Sequence, residues 1–392
     1  MDRPLLNRRL AEFGTTIFAE MSALAVRTGS INLGQGFPDA DGPEEVREAA
    51  VRALRDGRGN QYPPGPGIPE LRAAVAAHQQ RFYGHLGLSC DPETEVLVTA
   101  GATEAIAASL LALLEPGDEV IALEPYYDSY AAGIALAGGR RVPVTLRADP
   151  ASGSYRLDLD ELRDAVTDRT RLILLNTPHN PTGTVLSREE LAEIARLACE
   201  RDLLVITDEV YEHLVFEGEH LPLASFPGMR ERTVTIGSAG KTFSFTGWKV
   251  GWVTAPPELV SAVRSAKQFL TYVSAGPFQY AVAEALALPD SYFTALRDDL
   301  RAKRDILAAG LTEAGFTVFR PSGTYFITTD IRPLGHDDGF AFCRALPERA
   351  GVVAIPNAVF YDHKDQGAPY VRFAFCKQES VLRDAADRLQ KL

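Results

Sequence analysis

The sequence predicts an α/β protein with a mostly parallel sheet and a smaller α+β part toward its C-terminus. Two observations carry this. Through the middle of the chain, short uninterrupted apolar runs alternate with longer segments of helical periodicity, whereas the last hundred or so residues turn to half-exposed alternation. Continuous apolar strands need cover on both faces, which parallel sheets obtain from the helices that connect their strands.

Taken in order, residues 60–67 (Asn-Gln-Tyr-Pro-Pro-Gly-Pro-Gly) are too rich in Pro and Gly for an element interior and read as a rigid loop. Residues 95–99 (Glu-Val-Leu-Val-Thr) read as a buried strand ending at Gly101, with a helix over 103–114. A strand at 119–123 precedes a helix at 129–137. A third strand at 171–175 precedes a helix at 187–200, whose start carries the capping box Ser187-Arg188-Glu189-Glu190. Strands at 203–207 and 233–236 complete the set. Further on, 296–314 reads as a long charged helix, and 323–327 and 370–375 alternate like half-exposed strands. Ligands of such sheets gather beyond the carboxyl ends of the strands, so the residues just after each strand are the ones to inspect.

Bulk properties narrow the function. A chain of 392 residues with 46% hydrophobic residues can bury a large core and accommodates two domains. The net charge of −12 argues against nucleic acid or an anionic membrane as the main partner, so an anionic ligand must be met by local cations. Cys90, Cys199, Cys343 and Cys376 show no CxxC spacing and read as buried small apolar residues in a reducing compartment. The N-terminus, Met1 to Arg9, is followed by no apolar stretch suited to a signal peptide, and no segment approaches the ~20 apolar residues of a membrane span. A soluble cytoplasmic protein is expected.

The chemistry centres on Lys241, which lies among small residues in Gly237-Ser238-Ala239-Gly240-Lys241-Thr242. Such neighbours leave room for a flat aromatic molecule beside the amine, and a desolvated amine loses basicity and can attack an aldehyde to form a Schiff base. Lys249 follows eight positions on, in Thr246-Gly247-Trp248-Lys249, and suits an anionic group of the same molecule. The pair points to pyridoxal phosphate. That cofactor needs a carboxylate on its pyridine nitrogen, and Asp208, at the end of the strand 203–207, offers one, although Asp208-Glu209 also suits a helix or turn cap. Tyr211 and Asn180 can donate to the ring oxygen, although Asn180-Pro181-Thr182-Gly183 alone is a common turn signature. The strand-to-helix junction Thr99-Ala100-Gly101-Ala102-Thr103 offers free N–H groups and a helix dipole to a phosphate, with Ser238 and Lys249 opposite. Tyr127, after the strand 119–123, can lie against the ring face. Arg372, within an apolar strand, suits a substrate carboxylate or a structural ion pair.

These motifs, in this order, resemble the class I/II aminotransferases of fold-type I, and the resemblance runs from Asn32-Leu33-Gly34-Gln35-Gly36-Phe37-Pro38-Asp39 to Arg372-Phe373. Within that family the chain is most similar to the kynurenine or glutamine aminotransferase branch and to bacterial N-succinyldiaminopimelate aminotransferase-like proteins. The resemblance implies a large α/β domain over 46–288 with a mostly parallel seven-stranded sheet, and a small domain made of 1–45 and 289–392. It implies Lys241 as the Schiff-base lysine, Asp208 on the pyridine nitrogen, and Asn180 and Tyr211 on the ring oxygen. It further implies Gly101, Ala102, Thr103, Ser238 and Lys249 around the phosphate, Tyr127 stacked on the ring, and Arg372 with Gly36 on the substrate carboxylate. Phe18 matches an aromatic lid, and Tyr62 a tyrosine that reaches the phosphate of a neighbouring subunit, which implies a homodimer with shared sites. Ala102 departs from the tyrosine that some members of the kynurenine branch carry there, so the side-chain pocket differs.

The expected activity is ping-pong transamination between an L-amino acid and a 2-oxo acid in amino-acid metabolism, with broad preference for aromatic, methionine or glutamine donors. Alternatives are an N-succinyldiaminopimelate aminotransferase and a C–S β-lyase built on the same lysine. A regulator carrying such a domain as a sensor would need a DNA-binding segment, for which the residues before Asn32 leave little room.

Overall fold

Each central strand divides its apolar side chains between two faces. In Glu119–Glu124, Val120 and Ala122 enter one core cluster while Ile121 and Leu123 enter another; in Thr170–Asn176, Leu172 and Leu174 part from Ile173 and Leu175 in the same way. This period of two, apolar on both sides, is what a sheet packed between two helical layers demands. The computed structural model describes residues 5–14 and 16–392; residues 1–4, part of the N-terminal reading above, lie outside the described residues.

The large sheet has the order Val96–Thr99, Gly251–Thr254, Thr233–Ser238, Leu204–Asp208, Thr170–Asn176, Glu119–Glu124, Arg140–Asp149, Ser154–Leu157. Gly251–Thr254 runs antiparallel to both neighbours, and the strands from Thr233–Ser238 through Arg140–Asp149 are mutually parallel. The seven strands that the resemblance implies are joined by an eighth, Ser154–Leu157, folded back antiparallel on Arg140–Asp149 at the sheet edge. Three of these strands were absent from the sequence reading. Arg140–Asp149 and Ser154–Leu157 are partly exposed and carry arginines, so they lack an apolar run, and Gly251–Thr254 is only four residues long.

The register gathers strand ends. Asn176 pairs with Asp208, and Gly251 pairs with both Thr99 and Ser238, so residues distant in sequence emerge side by side at one edge of the sheet. The capping box at Ser187 is formed at the start of helix Arg188–Glu200, with the Ser187 Oγ accepting from Glu190 N and the Glu190 carboxylate accepting from Ser187 N.

A second, four-stranded antiparallel sheet contains Thr317–Phe319, Phe326–Asp330, Tyr370–Ala374 and Ile355–Pro356 in that order, against the long helix Asp290–Glu313. The strand expected at 323–327 begins later, at Phe326, because Thr324 has a positive φ of 66° and bends the chain after Gly323, which bridges to Val215 instead. Ile31–Asn32 pairs in parallel with Val352–Val353, and helix Ile17–Thr28 buries Met21, Leu24 and Ala25 in the same cluster. The N-terminal arm is thereby fastened to the C-terminal sheet. Among the described residues no helix is long and apolar enough to cross a membrane. All four cysteines are free; Cys343 and Cys376 are buried as expected, while Cys90 is half-buried and Cys199 exposed.

Candidate active site

A cavity of ≈ 820 Å³ opens at the carboxyl ends of the large sheet and is lined by every predicted site residue except Tyr62. One end of it is an anion cradle. Helix Gly101–Leu113 begins after Ala100, which offers no side-chain cap, and the only local carboxylate, Glu104, turns back to accept from Ala100 N at 2.6 Å. The first N–H groups, those of Gly101, Ala102 and Thr103, have no partner within the helix and carry the positive end of its dipole. Gly101 has φ +73°, and a Cβ there would lie 3.2 Å from Lys249 Nζ, so the ammonium rests against the helix start. A Cβ on Gly251 would come within 2.7 Å of Gly101 C, which makes both glycines requirements of this close approach. Ser238 stands across from it as the N-cap of Ala239–Thr242, its Oγ accepting from Gly240 N at 3.3 Å. Unpaired N–H groups, a hydroxyl and an ammonium together fit a phosphate.

Asp208 closes the strand Leu204–Asp208 and is buried. Tyr130 Oη donates to its Oδ2 at 2.5 Å, and Val210 N approaches Oδ1 at 3.4 Å. Loss of water raises its pKa to about 6, against the opposing pull of these hydrogen bonds and of the Lys241 charge. No cation of the protein lies within ion-pairing distance of this carboxylate among the described residues, and the only cap it offers the turn that follows is the long contact from Val210 N. An arriving pyridinium would supply the missing charge. Asn176 Nδ2 holds the Asp208 carbonyl at 2.8 Å, and Asn176 Oδ1 accepts from Asn180 N at 2.7 Å, so one side chain spaces both candidates.

Lys241 sits in the short helix Ala239–Thr242, and burial lowers its pKa to about 8. Its Nζ donates to Tyr325 Oη at 3.0 Å and lies 5.7 Å from the centre of the Tyr211 ring. Tyr127, the residue before helix Asp128–Ala137, meets Tyr130 edge-on with ring centres 5.9 Å apart.

Arg372 is the most unusual group. It is 1% exposed, in the middle of Tyr370–Ala374, with no carboxylate in ion-pairing distance among the described residues. Its Nη1 donates to Asn180 Oδ1 and its Nη2 to Gly34 O, both at 2.9 Å, while Nε finds no partner. Phe326, Phe360 and Phe18 surround the guanidinium, with ring centres at 4.0, 4.9 and 5.3 Å. The structural ion pair allowed by the sequence is therefore absent, and desolvation lowers the pKa of the arginine to about 10. A buried cation without a counter-charge is costly, and the cavity gives a carboxylate access to it. Gly36 and Phe18 line the same end.

Tyr62 stands apart. It is 80% exposed, outside the cavity, and meets Tyr272 edge-on at 5.6 Å. The sequence reading missed Tyr130, Asn176, Tyr325 and Lys364, which contact the candidate residues or line the cavity wall. Tyr130 had a signal, since it follows Tyr127 by three positions, nearly one helical turn. Asn176 had one as well, ending a strand four positions before Asn180, whereas Tyr325 and Lys364 are brought in by distant parts of the chain.

A family model described as aminotransferase class I and II matches residues 28–389. The chain is 56% identical over 393 residues to a probable N-succinyldiaminopimelate aminotransferase of Mycobacterium tuberculosis, covering 98% of each. A solved structure of N-succinyldiaminopimelate aminotransferase from that organism superposes with a TM-score of 0.95 at 57% identity, covering 98% of this chain and 99% of that one. A methionine aminotransferase of Escherichia coli is 40% identical over 397 residues, covering 100% of both.

Proposed function

This chain belongs to aminotransferase class I and II, and from that premise we propose that its amino donor is a long amino acid bearing a second carboxylate, of the N-succinyl-diaminopimelate type. The enzyme transfers an amino group between an amino acid and a 2-oxo acid and uses pyridoxal 5′-phosphate. That cofactor supplies an aldehyde to carry the amino group and a ring to spread the charge left at Cα. The cradle of Gly101, Ala102, Thr103, Ser238 and Lys249 suits its phosphate, Asp208 its ring nitrogen, Asn180 and Tyr211 its ring oxygen, and Tyr127 its ring face. Arg372 and Gly36 bind and orient the α-carboxylate beneath Phe18, which excludes water from that end. The lowered basicity of Lys241 suits it to take the proton from Cα and return it.

The observation that carries the donor reading is a pair of cations on one cavity, Arg372 deep inside and Lys364 on the exposed wall, neither ion-paired among the described residues. A donor with carboxylates at both ends answers both. The apolar walls Phe18, Phe326 and Phe340 favour a second reading, broad use of aromatic, methionine or glutamine donors. Rates with N-succinyl-diaminopimelate, methionine, phenylalanine, kynurenine and glutamine, each with 2-oxoglutarate, separate the two. The first reading expects kcat/KM at least about tenfold higher for N-succinyl-diaminopimelate, an advantage lost in Lys364→Ala. Equal rates for methionine reject it in favour of the second. Release of pyruvate and ammonia from cystathionine without any oxo acid would mark a C–S β-lyase instead.

The same reading assigns 46–288 to a large domain and 1–45 with 289–392 to a small one, in keeping with the pairing of Ile31–Asn32 with Val352–Val353. It takes the enzyme to be a cytoplasmic homodimer with shared sites. Tyr62 supports this, being exposed against Tyr272, which closely follows the exposed Phe269 and Leu270 in the chain. A monomeric mass in solution light scattering would reject the dimer.

A further inference from the structure

Lys241 Nζ has one hydrogen-bonding side chain among the described residues, the phenol of Tyr325 at 3.0 Å. The phenol in turn donates to Gly36 O at 2.7 Å, so its own proton is committed to the carbonyl and its oxygen faces the amine as an acceptor. The ring has little freedom. Tyr325 is 1% exposed, Tyr211 meets it edge-on with centres 5.3 Å apart, and Phe326 does so at 4.8 Å. The backbone it touches is also fixed from the other side, because Arg372 Nη2 donates to Gly34 O at 2.9 Å. The segment Gly34-Gln35-Gly36 is thus tied at one end to the carboxylate receptor and at the other, through Tyr325, to the lysine.

We propose that Tyr325 is a positioning residue for the transamination, holding the free amine of Lys241 in place while it carries the Cα proton and linking that amine to the loop that meets the substrate carboxylate. The inference rests on the reading of Lys241 as the proton-carrying lysine. The phenol touches the amine and no reacting carbon, so its effect falls on where the lysine stands and how readily it holds a proton. Loss of the oxygen removes an acceptor that the ammonium form uses more strongly than the neutral amine does, and so favours the neutral form.

The test compares wild type with Tyr325→Phe, which keeps the ring and deletes only the oxygen. In the apoprotein, the pH dependence with which Lys241 is acylated, read by peptide mass spectrometry, moves to lower pH by about half a pH unit in the variant. In the holoenzyme, exchange of the donor's Cα deuterium with solvent slows about tenfold, with KM within about twofold of wild type. An unmoved labelling midpoint, or an exchange rate within about twofold of wild type, overturns the proposal. Lys241→Ala run in parallel separates the two levels: if it still exchanges Cα deuterium, the reading of Lys241 itself falls and takes this inference with it. Should Tyr325→Phe fold poorly, 3-fluorotyrosine at the same position keeps the shape and the bond to Gly36 while weakening the oxygen as an acceptor. Its labelling midpoint is expected to move the same way, and an unmoved one overturns the proposal.

Discussion

The segment Asp208-Glu209-Val210-Tyr211-Glu212-His213 separates two buried polar regions that behave differently. Asp208 and Tyr211 face the cavity, whereas Glu209, Glu212 and His213 enter a closed cluster on the other side. In that cluster each side chain has a protein partner through at least one atom, although Glu209 Oε1 and His220 Nδ1 are left without one. Glu209 meets His220 at 2.8 Å, Glu212 accepts from Tyr83 Oη at 2.6 Å, and His78 and His213 share a hydrogen bond between their Nε2 atoms at 2.8 Å. Phe82 and Phe293 pack on these imidazoles, and burial lowers the pKa of His78 to about 3 and raises that of Glu212 to about 7. The cavity side instead holds Arg372, Lys241 and Asp208 with no opposite charge in ion-pairing distance among the described residues. Buried groups paired with one another hold a fold together, while buried charges left without a counter-charge reserve a place for a ligand.

Substitutions can break this contrast. The largest expected effect is in Lys241→Ala, where kcat falls by at least about 10⁴-fold with no loss of thermal stability. Residual turnover near wild type would remove the lysine from the chemistry. Next comes Arg372→Leu. kcat/KM for the donor is expected to fall about 100-fold or more, while the unfolding free energy of the apoprotein holds within about 1 kcal/mol or rises, since an uncompensated buried charge is removed. A stability loss above about 3 kcal/mol would make the arginine part of the scaffold. On the closed side the pattern reverses. Tyr83→Phe should cost about 1–2 kcal/mol in urea unfolding and leave kcat/KM unchanged within about twofold.

The smallest effect sharpens the contrast through pH. Glu212 holds its proton in the folded state up to about pH 7, above the ordinary 4.5, so between these values the folded chain retains a proton that the unfolded chain has released. Wild-type stability therefore loses this contribution as pH rises through that window. Glu212→Gln has no charge to suppress and should gain on wild type from about pH 5 to about pH 8, in urea unfolding at each pH. A difference that stays flat with pH would return Glu212 to an ordinary carboxyl.

Much of this arrangement was legible in the residues. The apolar runs at 119–123, 171–175 and 203–207 gave their strands because burial on both faces leaves no room for polar interruption, and Asp208, Gly101 and Lys241 follow strands where ligands collect. What escaped depended on long-range pairing. Arg140–Asp149 is a strand through its neighbours more than through its own pattern, and Tyr325 reaches Lys241 across 84 positions of sequence. The paired cluster around Glu212 was equally hidden, since His78 and His213 are 135 positions apart. Arg372 shows the limit most clearly: its position in an apolar strand predicted burial, but only the surrounding rings reveal that no carboxylate waits there.

The meeting of Gly101 with Gly251 has a consequence for how such an enzyme diversifies. Where even a methyl group would collide with backbone at 2.7 Å, mutation has no graded options, so this end of the pocket is closed to evolutionary tinkering. New appetites must be acquired at the opposite end, around Phe18, Phe340 and Lys364, where side chains border open space and can be exchanged one at a time without disturbing the anchor.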